Sequence, residues 1–321
     1  MRLVIVGYGN IGRGLVETLA EKRSSLKKGG LDVKVVAVCE YSGCIVDESG
    51  VDLKRLLKEK PRWGKRKTLD VINEVDADIV VELTPGDIKS GEPGLKHIRA
   101  ALESGKHVVT SNKSPLVVAY GELVKLAEDN GVMLKFEATV GGAIPVLNTL
   151  DRELKSNKAR NVYGILNGTT NFILTKMLEE GVDFKAALLE AQTLGLAETD
   201  PTYDIEGIDS AAKVVILANS LGMDVKFKDL KVVGITGVTP EAVDLAKEHG
   251  YTIKLVGDIA AKEVSPRLVP LDHPLNVGGS LNAVLVDTDV AGEITLIGAG
   301  AGPRETSSAI MSDINAIAEK T

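Results

Sequence analysis

Cysteine is nearly missing from this sequence: Cys39 and Cys44 are the only two in 321 residues. Two thiols exclude a disulfide framework and a four-thiolate metal centre, and they point to a reducing cytoplasm. Long apolar runs are missing too. The longest stretches without Asp, Glu, Lys or Arg, around Val162 to Thr175 and His273 to Val286, contain Asn and Gly and fall short of the ~18 apolar residues of a membrane helix. The opening MRLVIVGYG places only four apolar residues, Leu3 to Val6, before Gly7, too few for a signal peptide. Positive charge is in deficit, with 38 Lys and Arg against 45 Asp and Glu, a net −7. That balance argues against nucleic acid or an anionic membrane as partner. Aromatic residues make up only 3% of the chain.

Glycine, in contrast, is abundant, at 33 of 321 residues, against a usual ~7%. With 44% hydrophobic and 26% charged residues the chain can bury a sizeable core, which excludes disordered and fibrous classes. At ~150 residues per domain the length suggests two domains.

The first 140 residues alternate short β-branched runs with helix-period segments, the pattern of a parallel sheet covered by helices. The runs are Leu3 to Val6, Val33 to Val38, Ile79 to Leu83, His107 to Thr110 and Met133 to Val140. Helices are expected at Ile11 to Lys28, Leu95 to Ser104 and Glu122 to Asn130, and Val51 to Lys67, with its WGKRK patch, as a surface excursion. Beyond Val140 strands and helices no longer take strict turns. The expected fold is therefore α/β: a Rossmann-type doubly wound parallel sheet over 1–140, to which 301–321 return as a helix, plus a mixed α+β domain over 141–300.

VGYGNIGRG sets Gly7, Gly9 and Gly12 as G-x-G-x-x-G directly after an apolar strand and at the mouth of a helix, with Asn10 and Ile11 between them. Bare N–H groups and the helix dipole there suit a pyrophosphate. Glu40 ends the second strand where an acid would take a ribose hydroxyl, and no Arg or Lys lies between it and Lys54, which leans towards NAD. Thr84 follows the third strand, and Asn112 and Lys113 follow the fourth, all at the carboxyl edge where doubly wound sheets bind ligands. For each of these a plain structural loop is the competing explanation.

In the second half, Glu198, Asp200, Asp204, Glu206 and Asp209 crowd a Gly- and Pro-containing turn before a helix. Asp209 and Lys213 are four apart and share a helix face. Lys213 is the only charge between Ser210 and Met223, amid Ala, Val, Ile and Leu on every side. That marks a buried helix, where a lysine must be paired or lose its proton readily, and either condition suits a general acid or base. FEATVGGAIP, with Glu137, and GAGAG, ending at Gly302, could hold a hard cation and a cofactor respectively, or serve only as a hinge and a turn.

GYGNIG, SNKSP, FEATVGGAIP, GILNGTTN, AETDPTYDIEGIDSAAK and GAGAG, in this order, together resemble homoserine dehydrogenase over essentially the whole chain. The resemblance is to a short, monofunctional form, since 321 residues leave no room for a kinase or ligand-sensing module. It implies NAD(P)-dependent interconversion of L-homoserine and L-aspartate 4-semialdehyde in threonine and methionine biosynthesis, a cytoplasmic homodimer, and a structural sodium ion. By the same resemblance 141–300 is the catalytic and dimerisation domain, Lys213 falls on the proton donor, and Lys113 falls on a catalytic lysine that contacts cofactor and substrate and is also proposed as an acid–base group. Glu198 and Asp209 fall on residues holding the substrate amino group, Thr84 and Gly302 on cofactor contacts, and Glu137 with the backbones of Val140, Gly142 and Ile144 on the sodium site. Tyr203 stands where some relatives carry an acid, and Ala212 where a basic residue often precedes the lysine. The competing functions are a dehydrogenase of a related amino-acid semialdehyde or amino acid and a non-catalytic NAD-binding sensor. The presence of both lysines and both carboxylates weighs against the sensor.

Overall fold

A computed structural model describes residues 1–320, which divide into two units: Met1–Thr139 with the segment from Gly302 onward, and Val140–Ala301. Each is built on its own six-stranded sheet.

The first unit runs β1 (Arg2–Val6), α1 (Asn10–Lys28), β2 (Lys34–Glu40), β3 (Gly43–Val46), α2 (Leu53–Lys58), α3 (Thr68–Glu74), β4 (Ile79–Glu82), α4 (Gly94–Glu103), β5 (His107–Thr110), α5 (Lys113–Asp129) and β6 (Leu134–Lys135). The strand order is β3-β2-β1-β4-β5-β6, and every neighbouring pair is parallel except β2 with β3. Winding reverses between β1 and β4, the switch point at which doubly wound sheets open a crevice beyond their carboxyl ends. Both faces of the sheet are covered, so Val35 to Cys39 and Ile79 to Glu82 are continuously buried, unlike the alternating strands of a one-sided sheet. Leu15, Val16 and Leu19 of α1 and Ile310, Ile314 and Ile317 of the C-terminal helix (Pro303–Ala318) share one core with Leu3, Ile5, Ile79 and Val81. A Cβ on Gly14 would lie 2.7 Å from Pro303 Cβ, so the two helices meet where only glycine fits.

Three local expectations are corrected. Met133 to Val140 is not one strand, because Glu137 N–H donates to Asp313 Oδ2 (2.9 Å) and Thr139 N–H to the Phe136 carbonyl (3.0 Å), which turns the backbone into a 3-10 helix over Glu137–Thr139. Lys113 does not sit in a loop: Asn112 Oδ1 accepts the Ser114 N–H (3.1 Å) and caps α5, so Lys113 is the first helical residue. Ala119, at φ −139°, then divides α5 into two helical pieces, of which the sequence suggested only the second. The Val51 to Lys67 excursion is anchored: Gly64 bridges to Cys44 of the unanticipated strand β3, and Trp63 packs edge-on to Tyr8 at 5.8 Å.

The second unit contains α6 (Val146–Asn148), β7 (Ala159–Ile165), α7 (Gly168–Glu180), α8 (Phe184–Thr193), α9 (Thr202–Ile205), α10 (Ile208–Ser220), β8 (Lys231–Val232), α11 (Pro240–Glu248), β9 (Tyr251–Asp258), β10 (Glu263–Pro270), β11 (Leu281–Thr288) and β12 (Glu293–Ala299). Its sheet has the order β12-β11-β7-β9-β10-β8 and is antiparallel except between β8 and β10. Helices α7 and α10 lie against it, and the chain passes from β7 through Leu166 and Asn167 straight into α7. Among the described residues no helix is long and apolar enough to cross a membrane.

Candidate active site

In the first unit the three glycines of the loop after β1 are each required for a different reason. Gly7 has φ +100°, and a Cβ there would meet the Leu83 carbonyl carbon at 2.8 Å. A Cβ on Gly12 would meet the Gly7 carbonyl oxygen at 2.0 Å. Gly9, in contrast, faces open space: a Cβ there would have nothing within 4 Å, and Asn10 beside it is exposed. Two glycines thus fold the loop onto α1, and the third leaves its outer surface bare for a ligand. Ile11 is half-buried behind it.

Glu40 closes this loop from β2. Its Oε2 accepts the Tyr8 N–H (3.0 Å) and its Oε1 the Tyr41 N–H (2.9 Å), while the neighbouring Cys39 carbonyl accepts the Gly7 N–H (2.9 Å). Thr84, after β4, gives both its N–H (3.0 Å) and its hydroxyl to Glu82 Oε1. Lys113 is half-buried at the start of α5. Gly302, at φ +132°, precedes the C-terminal helix, and a Cβ there would fall 2.1 Å from Glu305 Oε2. The loops after β1, β4 and β5 and the end of β2 therefore share the carboxyl edge of the sheet.

The chain between the two sheets carries the remaining candidates. Glu137 is buried at 3% exposure. Gly141 and Gly142 take left-handed φ values of +81° and +58°, Val140 is buried, and the Ile144 N–H donates to the Gly141 carbonyl (2.9 Å). Among the described residues no group of three or more His, Cys, Asp or Glu is disposed to hold a metal ion.

In the second unit α10 is buried from Asp209 through Ala218. Asp209 and Lys213, one turn apart, form an ion pair with Nζ 2.7 Å from Oδ2, and Lys213 Nζ also donates to the Leu166 carbonyl at 2.5 Å. Asn167 Nδ2 donates to Asp209 Oδ2 (3.0 Å) and to Asp204 Oδ1 (2.7 Å), while its Oδ1 caps α7 through the Thr170 N–H (2.9 Å). Burial, and after it the Asp209 charge, push the Asp204 carboxyl above the ordinary carboxylate range. The same two influences, with Asp204 added, push the Tyr203 phenol up. The cluster thus holds two carboxylates and one ammonium beside a phenol that stays protonated.

Glu198 stands apart from this cluster. It is exposed in the loop after α8, and among the described residues no hydrogen bond or ion pair ties its carboxylate to Asp209 or Lys213. Gln192 Nε2 instead holds the backbone of that loop, donating to the Glu198 (3.1 Å) and Thr199 (3.3 Å) carbonyls. Asn167, the Leu166 carbonyl and Glu82 were not singled out from sequence. Asn167 lay in view within ILNGTTN, and Glu82 as a lone charge ending an apolar strand; the carbonyl had no side-chain signal at all.

Residues 7–137 match the family model for the homoserine dehydrogenase NAD-binding domain, and residues 145–315 match that for homoserine dehydrogenase. A homoserine dehydrogenase of Methanocaldococcus jannaschii is 50% identical, over 98% of this chain and 97% of its own. Among solved structures, a chain from Archaeoglobus fulgidus provisionally assigned as homoserine dehydrogenase superposes with a TM-score of 0.93 at 44% identity, covering 99% of both chains. A hyperthermophilic archaeal homoserine dehydrogenase in complex with NADPH superposes with a TM-score of 0.81 at 30% identity, covering 100% of this chain and 98% of its own.

Proposed function

From the premise that this chain belongs to the homoserine dehydrogenase family, we propose which of its residues carry the family's reaction. The protein is an NAD(P)-dependent oxidoreductase acting on a CH–OH group: it interconverts L-homoserine and L-aspartate 4-semialdehyde, a step of amino-acid biosynthesis.

Proton transfer is assigned to Lys213. The observation that carries the assignment is its buried ammonium, 2.7 Å from Asp209 and 2.5 Å from the Leu166 carbonyl. In reduction of the aldehyde, Nζ gives a proton to the oxygen on which charge develops; in oxidation the neutral amine takes the hydroxyl proton. Asp209 holds Nζ in place and, with Glu198, accepts the substrate ammonium. Asn167 fixes the Asp209 carboxylate from the other side.

The coenzyme side comprises the Gly7, Gly9, Asn10, Ile11 and Gly12 backbone for the pyrophosphate, Glu40 for the ribose, and Thr84, Lys113 and Gly302 as further contacts. The bare face of Gly9 supports this, since it leaves room for phosphate oxygens against the N–H groups that open α1. The bound coenzyme supplies the site that accepts or returns the hydride. A structural sodium ion would be held by the Glu137 carboxylate and the backbone oxygens of Val140, Gly142 and Ile144, an all-oxygen donor set of the kind hard cations take. The working form is a cytoplasmic homodimer; Leu268 and Ile297, 61% and 52% exposed on β10 and β12, support an association surface on the second unit.

Lys213→Ala should abolish turnover of L-homoserine, followed at 340 nm, while NAD(P) binding measured by fluorescence persists. Full activity in that variant would refute the assignment.

A further inference from the structure

Glu82 ends β4, the central strand at the switch point, and none of its side chain reaches solvent. A carboxylate in that position is costly unless donors surround it. Its Oε1 accepts the Thr84 N–H (3.0 Å), the Thr84 hydroxyl and Asn112 Nδ2 (3.3 Å). Three donors converging on one oxygen is the pattern of an ionised carboxylate. Oε2 points the other way, to His97 Nδ1 on α4 at 3.5 Å. Both of those atoms are enclosed, and among the described residues neither has a closer polar partner.

The enclosure is tight. A Cβ on Gly94 would fall 2.5 Å from Asn112 Nδ2 and 3.0 Å from Glu82 Oε1, and one on Gly86 would fall 2.4 Å from Asn112 Oδ1. The Asn112 amide is itself divided: Nδ2 is given to Glu82, and Oδ1 caps the helix that Lys113 opens. The Glu82 carbonyl adds a further tie, accepting the Thr110 hydroxyl (2.9 Å) and the Ser111 N–H (3.3 Å). One residue therefore fastens the loop carrying Thr84 to the loop that sets the start of α5.

We propose that Glu82, with His97 packed against its Oε2, is a positioning residue that locks Thr84 and, through Asn112, the Lys113 helix N-terminus into one coenzyme-binding edge. It touches neither coenzyme nor substrate. The proposal rests on the assignment of Thr84 and Lys113 as coenzyme contacts. Glu82→Gln keeps the shape and the Oε1 acceptor but removes the charge that the Thr84 and Asn112 donors favour.

The test uses the full chain, with NADPH affinity read by fluorescence titration and steady-state constants read for L-homoserine, at a temperature where each variant is folded. Glu82→Gln should raise the NADPH dissociation constant about tenfold and change KM for homoserine by a clearly smaller factor. Combining it with Asn112→Ala should weaken binding no more than the worse single change, because both break one network. Parent-like NADPH affinity in Glu82→Gln, or effects that multiply in the double variant, would overturn the proposal. If Glu82→Gln does not fold, His97→Leu removes the imidazole and leaves the carboxylate; it should weaken NADPH binding several-fold, and parent-like binding would again overturn it. Parent-like affinity in both Thr84→Val and Lys113→Ala would overturn the coenzyme-contact assignment itself, and this proposal with it.

Discussion

Lys254→Met should flatten an alkaline rise in the stability of this protein. Lys254, on β9, is 1% exposed. Its Nζ donates to the Val277 carbonyl (2.7 Å), Asn171 Oδ1 (2.8 Å) and Thr175 Oγ1 (3.2 Å), all neutral acceptors. Burial pulls the ammonium down from an ordinary 10.5 to about 8, against a smaller opposing pull from the Glu179 charge. Between those two values the unfolded chain holds the proton and the folded chain does not. The unfolded state then binds more protons, so stability climbs with pH across that window. At about 1.4 kcal/mol for each pH unit, the ammonium costs the folded state about 3 kcal/mol below the folded value, and the cost is gone above the unfolded one. Methionine has similar volume and no proton to lose. Urea unfolding followed by circular dichroism, from about pH 7 to about pH 10, should therefore show the parent gaining ~2–3 kcal/mol on the variant. Taking the difference between the two proteins cancels the other titrating groups. Parallel curves would mean that water reaches Lys254 and that the burial argument is wrong.

Two further perturbations separate local structure from chemistry. Gly9→Ala has open space for its methyl group, so its unfolding temperature should stay within about 2 °C of the parent, while NAD(P) affinity falls more than about tenfold because the methyl occupies the phosphate face. Gly12→Ala drives a Cβ towards the Gly7 carbonyl oxygen, 2.0 Å away, and should lose about 1–3 kcal/mol of stability as well as coenzyme binding; equal behaviour of the two variants would count against the division of roles among the glycines. Asn167→Ala removes a helix cap worth about 1 kcal/mol and the amide that joins Asp204 to Asp209, so kcat for homoserine should fall by at least about tenfold; loss of stability with kcat intact would reduce Asn167 to a cap.

The features that could be read from sequence are those whose cause is local. Gly7, Gly9 and Gly12 are fixed by a turn a few residues long, and Lys213 announced itself as a lone charge on an apolar helix with Asp209 one turn before it. Strand β3 escaped because Gly43–Val46 is short and is held by Gly64, some twenty residues away, through the bridge to Cys44. Lys254 escaped for a related reason. In YTIKLVGD the polar residues Thr252, Lys254 and Asp258 alternate as a solvent face would, yet all three are buried. For Lys254 the cause lies elsewhere in the chain: Asn171 and Thr175, one turn apart on α7, and the Val277 carbonyl converge on it. No period within β9 can reveal a polar row on another element. Glu82 and Asn167 share this history, since the partners that make each of them a junction come from several elements.

Lys213 and Lys254 show why burial alone does not mark a catalytic lysine. Both are almost wholly enclosed, at 6% and 1% exposure, and both give their ammonium to buried oxygens. Lys254 meets only neutral oxygens, so folding opposes its charge, and neutralising it strengthens the fold. Lys213 meets a carboxylate at 2.7 Å, with a second carboxylate, Asp204, joined to the first through Asn167. The cluster sets two acids near one buried cation. Burial, and after it the Asp209 charge, raise the Asp204 carboxyl above its ordinary range. In the proposed reaction a substrate ammonium would add positive charge here, beside the lysine to which proton transfer is assigned. Lys213 is paired with an acid and Lys254 with neutral oxygens alone, and that difference, rather than burial, is what favours Lys213 as the proposed proton donor.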